Sequence, residues 1–238
     1  MPKSSRTLIA VLALLLSIAF AISPFFVPSF SGFDPNQFPI PQDNPPAQPA
    51  GYAFSIWGVI YLWLIAGLGY GLLRAPRDGQ WHDMRVPLCL SLAVGTTWLA
   101  VATMSPVWAA ILIWIMLITA LIALFLAPVE DPLWAAAPVG LYAGWLSAAS
   151  CVSLALLAAG YGYLEEQTAA VVFVGLAIAI GAIVQTALGR TPTYGIAVIW
   201  GLVGVVVTNW GETALVAYLA LGGSVIVALP TVRAFRRG

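Results

Sequence analysis

Apolar residues run along this chain in long unbroken stretches, and polar residues gather in the gaps between them. Eight stretches are long enough to be membrane-crossing helices, at 7–27, 53–73, 86–104, 108–127, 134–158, 169–188, 194–210 and 213–232. A helix needs about 20 apolar residues to cross a hydrocarbon core about 30 Å thick. Apolar and polar residues do not alternate with period two inside the stretches, which argues against a transmembrane β-barrel. Helices satisfy their own backbone hydrogen bonds, as lipid demands. The expected fold is all-α: a polytopic membrane helix bundle of about eight transmembrane helices, with the lipid bilayer as its first partner.

Charge gives the bundle a direction. When the eight stretches are threaded alternately, all nine Lys and Arg residues fall on one side. Lys3 and Arg6 precede the first helix, Arg74, Arg77 and Arg85 flank the second connection, Arg190 sits in the sixth, and Arg233, Arg236 and Arg237 form the tail. Basic residues are retained on the cytoplasmic side, so both termini are expected to be cytoplasmic, in a bacterial cell membrane. Lys3 and Arg6 followed by an apolar run ending at Ala19-Phe20-Ala21 also have the form of a secretory signal, and its cleavage would leave seven spans. The net charge of +0 gives no electrostatic case for nucleic acid.

The longest polar stretch, 28–51, holds seven prolines together with Phe30, Phe33 and Phe38. Proline prevents regular helix and lowers the entropy lost on docking. A lid lying across the outer face of the bundle is expected. On the inner side, 74–85 reads as a loop carrying Trp81 and a solvated His82. Glu130 and Asp131, and on the outer side Glu165 and Glu166, read as solvated charges or helix-terminus contacts. No Asp, Glu, Lys, Arg or His falls near the middle of any stretch, which weakens a proton-coupled transporter. Cys89 and Cys151 lie inside separate predicted helices and read as buried thiols, with no metal motif.

Gly67 and Gly71, and likewise Gly140 and Gly144, have the GxxxG spacing that lets helices approach closely. Packing within one protomer and a homodimer seam are both open uses. Trp108, Trp134 and Trp210 fall at helix ends, where indoles anchor at the interface. Trp63, Trp98, Trp114, Trp145 and Trp200 lie deeper and Trp57 a few residues inside the outer end of its helix, serving helix packing or a pocket for a flat aromatic ligand. Ser147, Ser150 and Ser153 recur every three residues, either bonding neighbouring helices or lining a polar strip of a cavity.

The run Pro49-Ala50-Gly51-Tyr52-Ala53-Phe54-Ser55-Ile56-Trp57-Gly58-Val59-Ile60-Tyr61 resembles the signature of the TspO/MBR family, the tryptophan-rich sensory or translocator proteins. The run Pro138-Val139-Gly140-Leu141-Tyr142-Ala143-Gly144-Trp145 resembles that family's fifth-helix pattern, and Trp98 and Trp108 fall where the family has tryptophans. The resemblance covers about 7–158. It departs at Gly51-Tyr52, where the family usually has Trp, at Ser153, where it has Asn, and in the third helix, where Gly95 or Thr96 occupies the region of an expected Asn. It implies a TspO-like five-helix core at 1–158 with its outer loop at 28–51. A three-helix extension at 159–238 belongs to the same membrane domain and has no counterpart in the compact five-helix members.

The resemblance further implies a pocket for porphyrins, other tetrapyrroles or similar flat hydrophobic ligands, in a sensor, regulator or transporter. The implied ligand residues are Tyr52, Phe54, Trp57, Tyr61, Trp98 and Trp145, with Ser147, Ser150 or Thr97 orienting polar groups. No His or Met is placed for axial iron ligation, so a metal-free porphyrin is expected and no cofactor is obligatory. A permease for a small neutral or amphipathic solute is the alternative. Catalytic turnover is not expected, since no buried acid, base or activated nucleophile is visible; light-dependent porphyrin breakdown would not need such groups and stays open.

Overall fold

The computed structural model describes residues 3–27 and 32–236. Pro28, Phe30, Arg237 and the side chain of Lys3 lie outside the described residues. Eight helices follow in order: α1 Lys3–Ile22, α2 Ile56–Arg74, α3 Gly79–Ala102, α4 Pro106–Leu126, α5 Ala137–Gly160, α6 Glu166–Leu188, α7 Thr193–Asn209 and α8 Ala214–Phe235. Seven of the eight are long and apolar enough to cross a membrane. The exception, α7, has 17 residues, or about 25 Å of rise.

The helix α5 sits at the centre, packed against α4, α6, α7 and α2. It is buried on nearly all sides from Pro138 to Cys151, as expected of a core helix with no lipid face. Outer helices show the complementary pattern. On α4, Ile111, Ile115, Ile118, Ile122 and Phe125 form an exposed stripe at three- and four-residue spacing, while Ala109, Ile113, Met116 and Ala120 turn inward. Such an apolar outer surface is compatible with lipid and not with water.

The GxxxG glycines all serve contacts within the chain. A Cβ at Gly67 would meet the Trp134 carbonyl, and one at Gly71 would meet the Trp81 ring. On α5, Gly140 faces Thr191 and Thr193, and Gly144 lies against the Tyr194 carbonyl. The pair on α2 therefore admits α3 and the Pro132–Ala136 turn, and the pair on α5 admits α7.

The inner end departs from the sequence reading in one respect. The helix α3 begins at Gly79, because the Asp78 side chain accepts from the Trp81 backbone N–H at 2.9 Å and caps it. Only 75–78 is left as a connection, so Trp81 and His82 lie in the first turn of the helix and are buried, not solvated. Trp81 Nε1 donates to Asp131 at 2.9 Å, and the Tyr70 hydroxyl donates to the same carboxylate at 3.3 Å. The Asp131 carboxylate is thus a structural acceptor and not simply a solvated charge. The Arg85 guanidinium, fully buried, lies 4.8 Å over the Trp81 ring and donates to the Ala75 carbonyl. Arg190 donates to the Leu124, Phe125 and Ala127 carbonyls at the end of α4, and burial pushes its pKa below the ordinary value. Arg6 reaches the Arg77 carbonyl at 3.0 Å. These contacts bring the described arginines of four separate segments to one end of the bundle.

At the opposite end the loop 32–55 crosses the bundle and is fastened to three helices. Gln37 Nε2 donates to the Ala102 carbonyl on α3, and the Ile40 N–H to the Gly160 carbonyl on α5. Three more ties reach α7: the Ala50 N–H to Gly204, Asn209 Nδ2 to Pro46, and Trp200 Nε1 to Ala53. Phe38 is buried against Gly160, where a Cβ would collide with its ring. Gly32 has φ +133°, a conformation that side chains avoid, and the Gln48 amide fills the space where its Cβ would stand.

Candidate ligand cavities beneath the lid

Two cavities lie toward this end: the lid walls one directly and reaches the other through Phe54. The larger, about 220 Å³, is the core cavity. Its walls come from Phe20 at the end of α1 and Ser23 and Pro24 just after it, from Phe54 before α2 and Trp57 and Tyr61 in its first turns, and from Gly95, Trp98 and Leu99 on α3. Ile113, Met116 and Leu146 complete it.

The aromatic wall follows from helical spacing. Trp57 and Tyr61 are one turn apart and face the same way, stacking with centroids 5.4 Å apart and planes at 20°. Phe20 sets its edge against both rings, at 5.7 and 5.0 Å. That position requires Gly95, since a Cβ there would stand 2.8 Å from the Phe20 ring. Behind the wall, Tyr142 is fully buried and its hydroxyl lies 2.9 Å from Ser91 Oγ. Ser91 already donates to the Met116 carbonyl, so Tyr142 is the donor of the pair. Trp98 is held by an Nε1 hydrogen bond of 2.9 Å to the Ala109 carbonyl.

The smaller cavity, about 60 Å³, is the lid chamber. It lies between the lid (Phe33, Ala47, Pro49), α5 (Trp145, Ala148, Cys151, Ser153), α6 (Phe173, Ala177) and α7 (Gly201, Val205). It shares Phe54, Trp98 and Ile113 with the core cavity.

The structure thus brings Phe54, Trp57, Tyr61, Trp98 and Trp145 together around one pair of cavities. The other expected ligand residues point elsewhere. Tyr52 is 45% exposed and sets its ring against Trp200 at 5.5 Å; the tight turn at Gly51–Ser55 gives it a different face from Phe54. Ser147 is buried in the α5–α7 seam, 2.9 Å from the Tyr194 hydroxyl. Ser150 faces the Ile113 carbonyl at 3.5 Å in the α4–α5 seam. Ser153 alone of this series lines a cavity. Three residues advance a helix by about 300°, so the serine row drifts about 60° per step and turns from the α7 seam to the chamber. Thr97 bonds its own helix at Val94.

Sequence reasoning missed Phe20, which read as part of a signal cleavage site, and Met116, whose thioether reaches a wall where neither His nor Met was expected. The one available signal was the small residue Gly95, facing a helix with a bulky aromatic at its outer end. Cys151 and Cys89 are buried free thiols, as the sequence indicated.

An integral multi-pass membrane protein of helices, with an aromatic cavity under a proline-rich lid, is the class that this fold and site define. A family model described as TSPO-like protein matches residues 9–233, and the chain belongs to that family. The match runs from α1 into α8, so it takes in the three C-terminal helices, which lie beyond the motifs quoted above. No curated protein matches the chain, and no solved structure matches it.

Proposed function

We propose that this protein binds flat hydrophobic ligands, tetrapyrroles among them, in the aromatic cavity beneath its lid and acts as a sensor or regulator of their level. The observation that carries the reading is the convergence of Phe20, Phe54, Trp57, Tyr61 and Trp98 from three parts of the chain on one cavity. A planar ring gains offset and edge-on contacts from such walls, and the Tyr61 hydroxyl supplies a polar point for orientation. At about 220 Å³ the core cavity exceeds the ~150 Å³ that accepts benzene, yet lies below the ~300–1,000 Å³ usual for drug-sized ligands. A small flat ring fits it as it stands. A whole macrocycle requires the lid or Phe54 to move aside. The one-sided arginine distribution supports a chain with both termini cytoplasmic, which C-terminal reporter fusions check directly.

The test is a protoporphyrin titration of detergent-purified protein, read by intrinsic tryptophan fluorescence, with Trp57→Phe and Trp145→Phe in parallel. Saturable one-site quenching, weakened by either substitution, is the expected result. Linear quenching that is the same in all three proteins would overturn the reading and send the question to a solute-flux screen for a permease.

A further inference from the structure

The lid chamber differs from the core cavity in chemistry as well as in size. Its walls are almost wholly carbon. The hydroxyl of Ser153 is turned back to the Ser150 carbonyl at 2.7 Å, and Cys151 offers only a weakly polar thiol. An apolar cavity of this kind stays dry and gains nothing from a polar ligand. At about 60 Å³ it is well under the ~150 Å³ that takes a benzene ring, so it suits a chain and not a ring. The core cavity next to it, about 220 Å³ with Tyr61 in its wall, suits a ring.

The partition between the two is thin and unequal. Phe54, Trp98 and Ile113 form the walls held in common. Trp98 is anchored by its hydrogen bond to Ala109, and Ile113 is branched at Cβ and stiff. Phe54 sits in the short turn just before α2 and is kept in place by edge contact with Trp145 at 5.8 Å, so it is the member of the partition free to swing. The chamber's far wall comes from α6 and α7, and α7 also fastens the lid through Gly204 and Asn209.

We propose that the lid chamber is a second binding site, for the short aliphatic tail of an amphipathic ligand whose ring lies in the core cavity, with Phe54 as the swinging partition. This rests on the ring-binding reading of the core cavity and narrows it to ring compounds bearing a hydrocarbon substituent. It gives α6 and α7, two of the three C-terminal helices, a ligand-facing role.

The test uses a series of 4-alkylphenols, from methyl to octyl, titrated calorimetrically into the purified full chain, with affinity expressed against free aqueous probe. Burying each methylene in the chamber should tighten binding about fourfold, up to a chain length at which the gain stops. Ala148→Leu, which fills the chamber, should abolish the increments while leaving 4-methylphenol binding unchanged. Phe173→Ala, which enlarges the chamber on the α6 side and does not depend on fitting extra atoms, should move the cut-off to longer chains. Identical chain-length dependence in all three proteins would place the tail in lipid or detergent and overturn the proposal. The failures separate: saturable protoporphyrin binding with indifferent chain-length behaviour removes the chamber alone. Chamber-dependent increments without protoporphyrin binding remove the tetrapyrrole reading alone.

Discussion

At the inner end of the bundle, side chains close the corners. Arg190 ties the α6–α7 corner to α4, Asp131 ties the α4–α5 corner to Trp81 on α3, and Arg6 ties α1 to the α2–α3 connection. Glycines there let backbone meet side chain directly. At the outer end the same helices stand apart around two cavities, and what closes them is a proline-rich loop held by hydrogen bonds to α3, α5 and α7. The contrast teaches where exchange with the surroundings can occur. The inner corners are tied by side chains from several helices, whereas the lid is held by hydrogen bonds of about 1 kcal/mol each. On the proposed reading, ligand enters and leaves from the lid side.

The comparison breaks first, and hardest, at the α5–α7 seam near the inner end. Gly144→Leu sets a side chain against the Tyr194 carbonyl, where backbone must shift. A loss of about 3 kcal/mol is expected, seen as a large drop in the thermal melting of purified protein. Next comes Asp131→Ala, which strips the buried Trp81 Nε1 and the Tyr70 hydroxyl of their acceptor. It should cost about 2 kcal/mol of stability while leaving protoporphyrin affinity unchanged, since the site lies at the other end.

Two tryptophans on one helix sharpen the contrast. Trp57→Ala should weaken protoporphyrin about tenfold by removing a stacked wall. Trp63→Ala, whose indole instead donates to the Leu133 carbonyl at the inner end, should lower melting and leave affinity alone. Asn209→Ala releases the lid from α7 at Pro46. About 1 kcal/mol corresponds to roughly fivefold faster release of bound protoporphyrin in a chase experiment.

The smallest effect belongs to Glu165, which caps α6 from outside the span. The Gln167 and Thr168 backbone N–H groups hold its carboxylate below the ordinary glutamate pKa. A lowered pKa means that the cap stabilises fully above the ordinary value and is lost as pH falls through the lowered one. Melting curves of the wild type and Glu165→Gln should therefore differ at neutral pH and converge in acid.

The helix count was legible because lipid forces long apolar runs, and the one-sided arginines were legible for the same reason. The aromatic wall was legible where helical spacing alone decides direction, as with Trp57 and Tyr61. Legibility ended where direction depends on a partner. Asp78 starts α3 about two turns before the apolar run and so buries His82. A tight turn separates Tyr52 from Phe54, and a 60° drift carries Ser147 and Ser150 into seams. Phe20 joins the site only because Gly95, distant in sequence, leaves it room.

Hydrogen–deuterium exchange with and without protoporphyrin tests the difference between the ends most directly. The account predicts added protection in peptides covering 33–58 and the outer end of α7, with the inner corners at 74–82, 124–134 and 189–195 unchanged. Protection concentrated at those inner corners, with the lid unaffected, would contradict it.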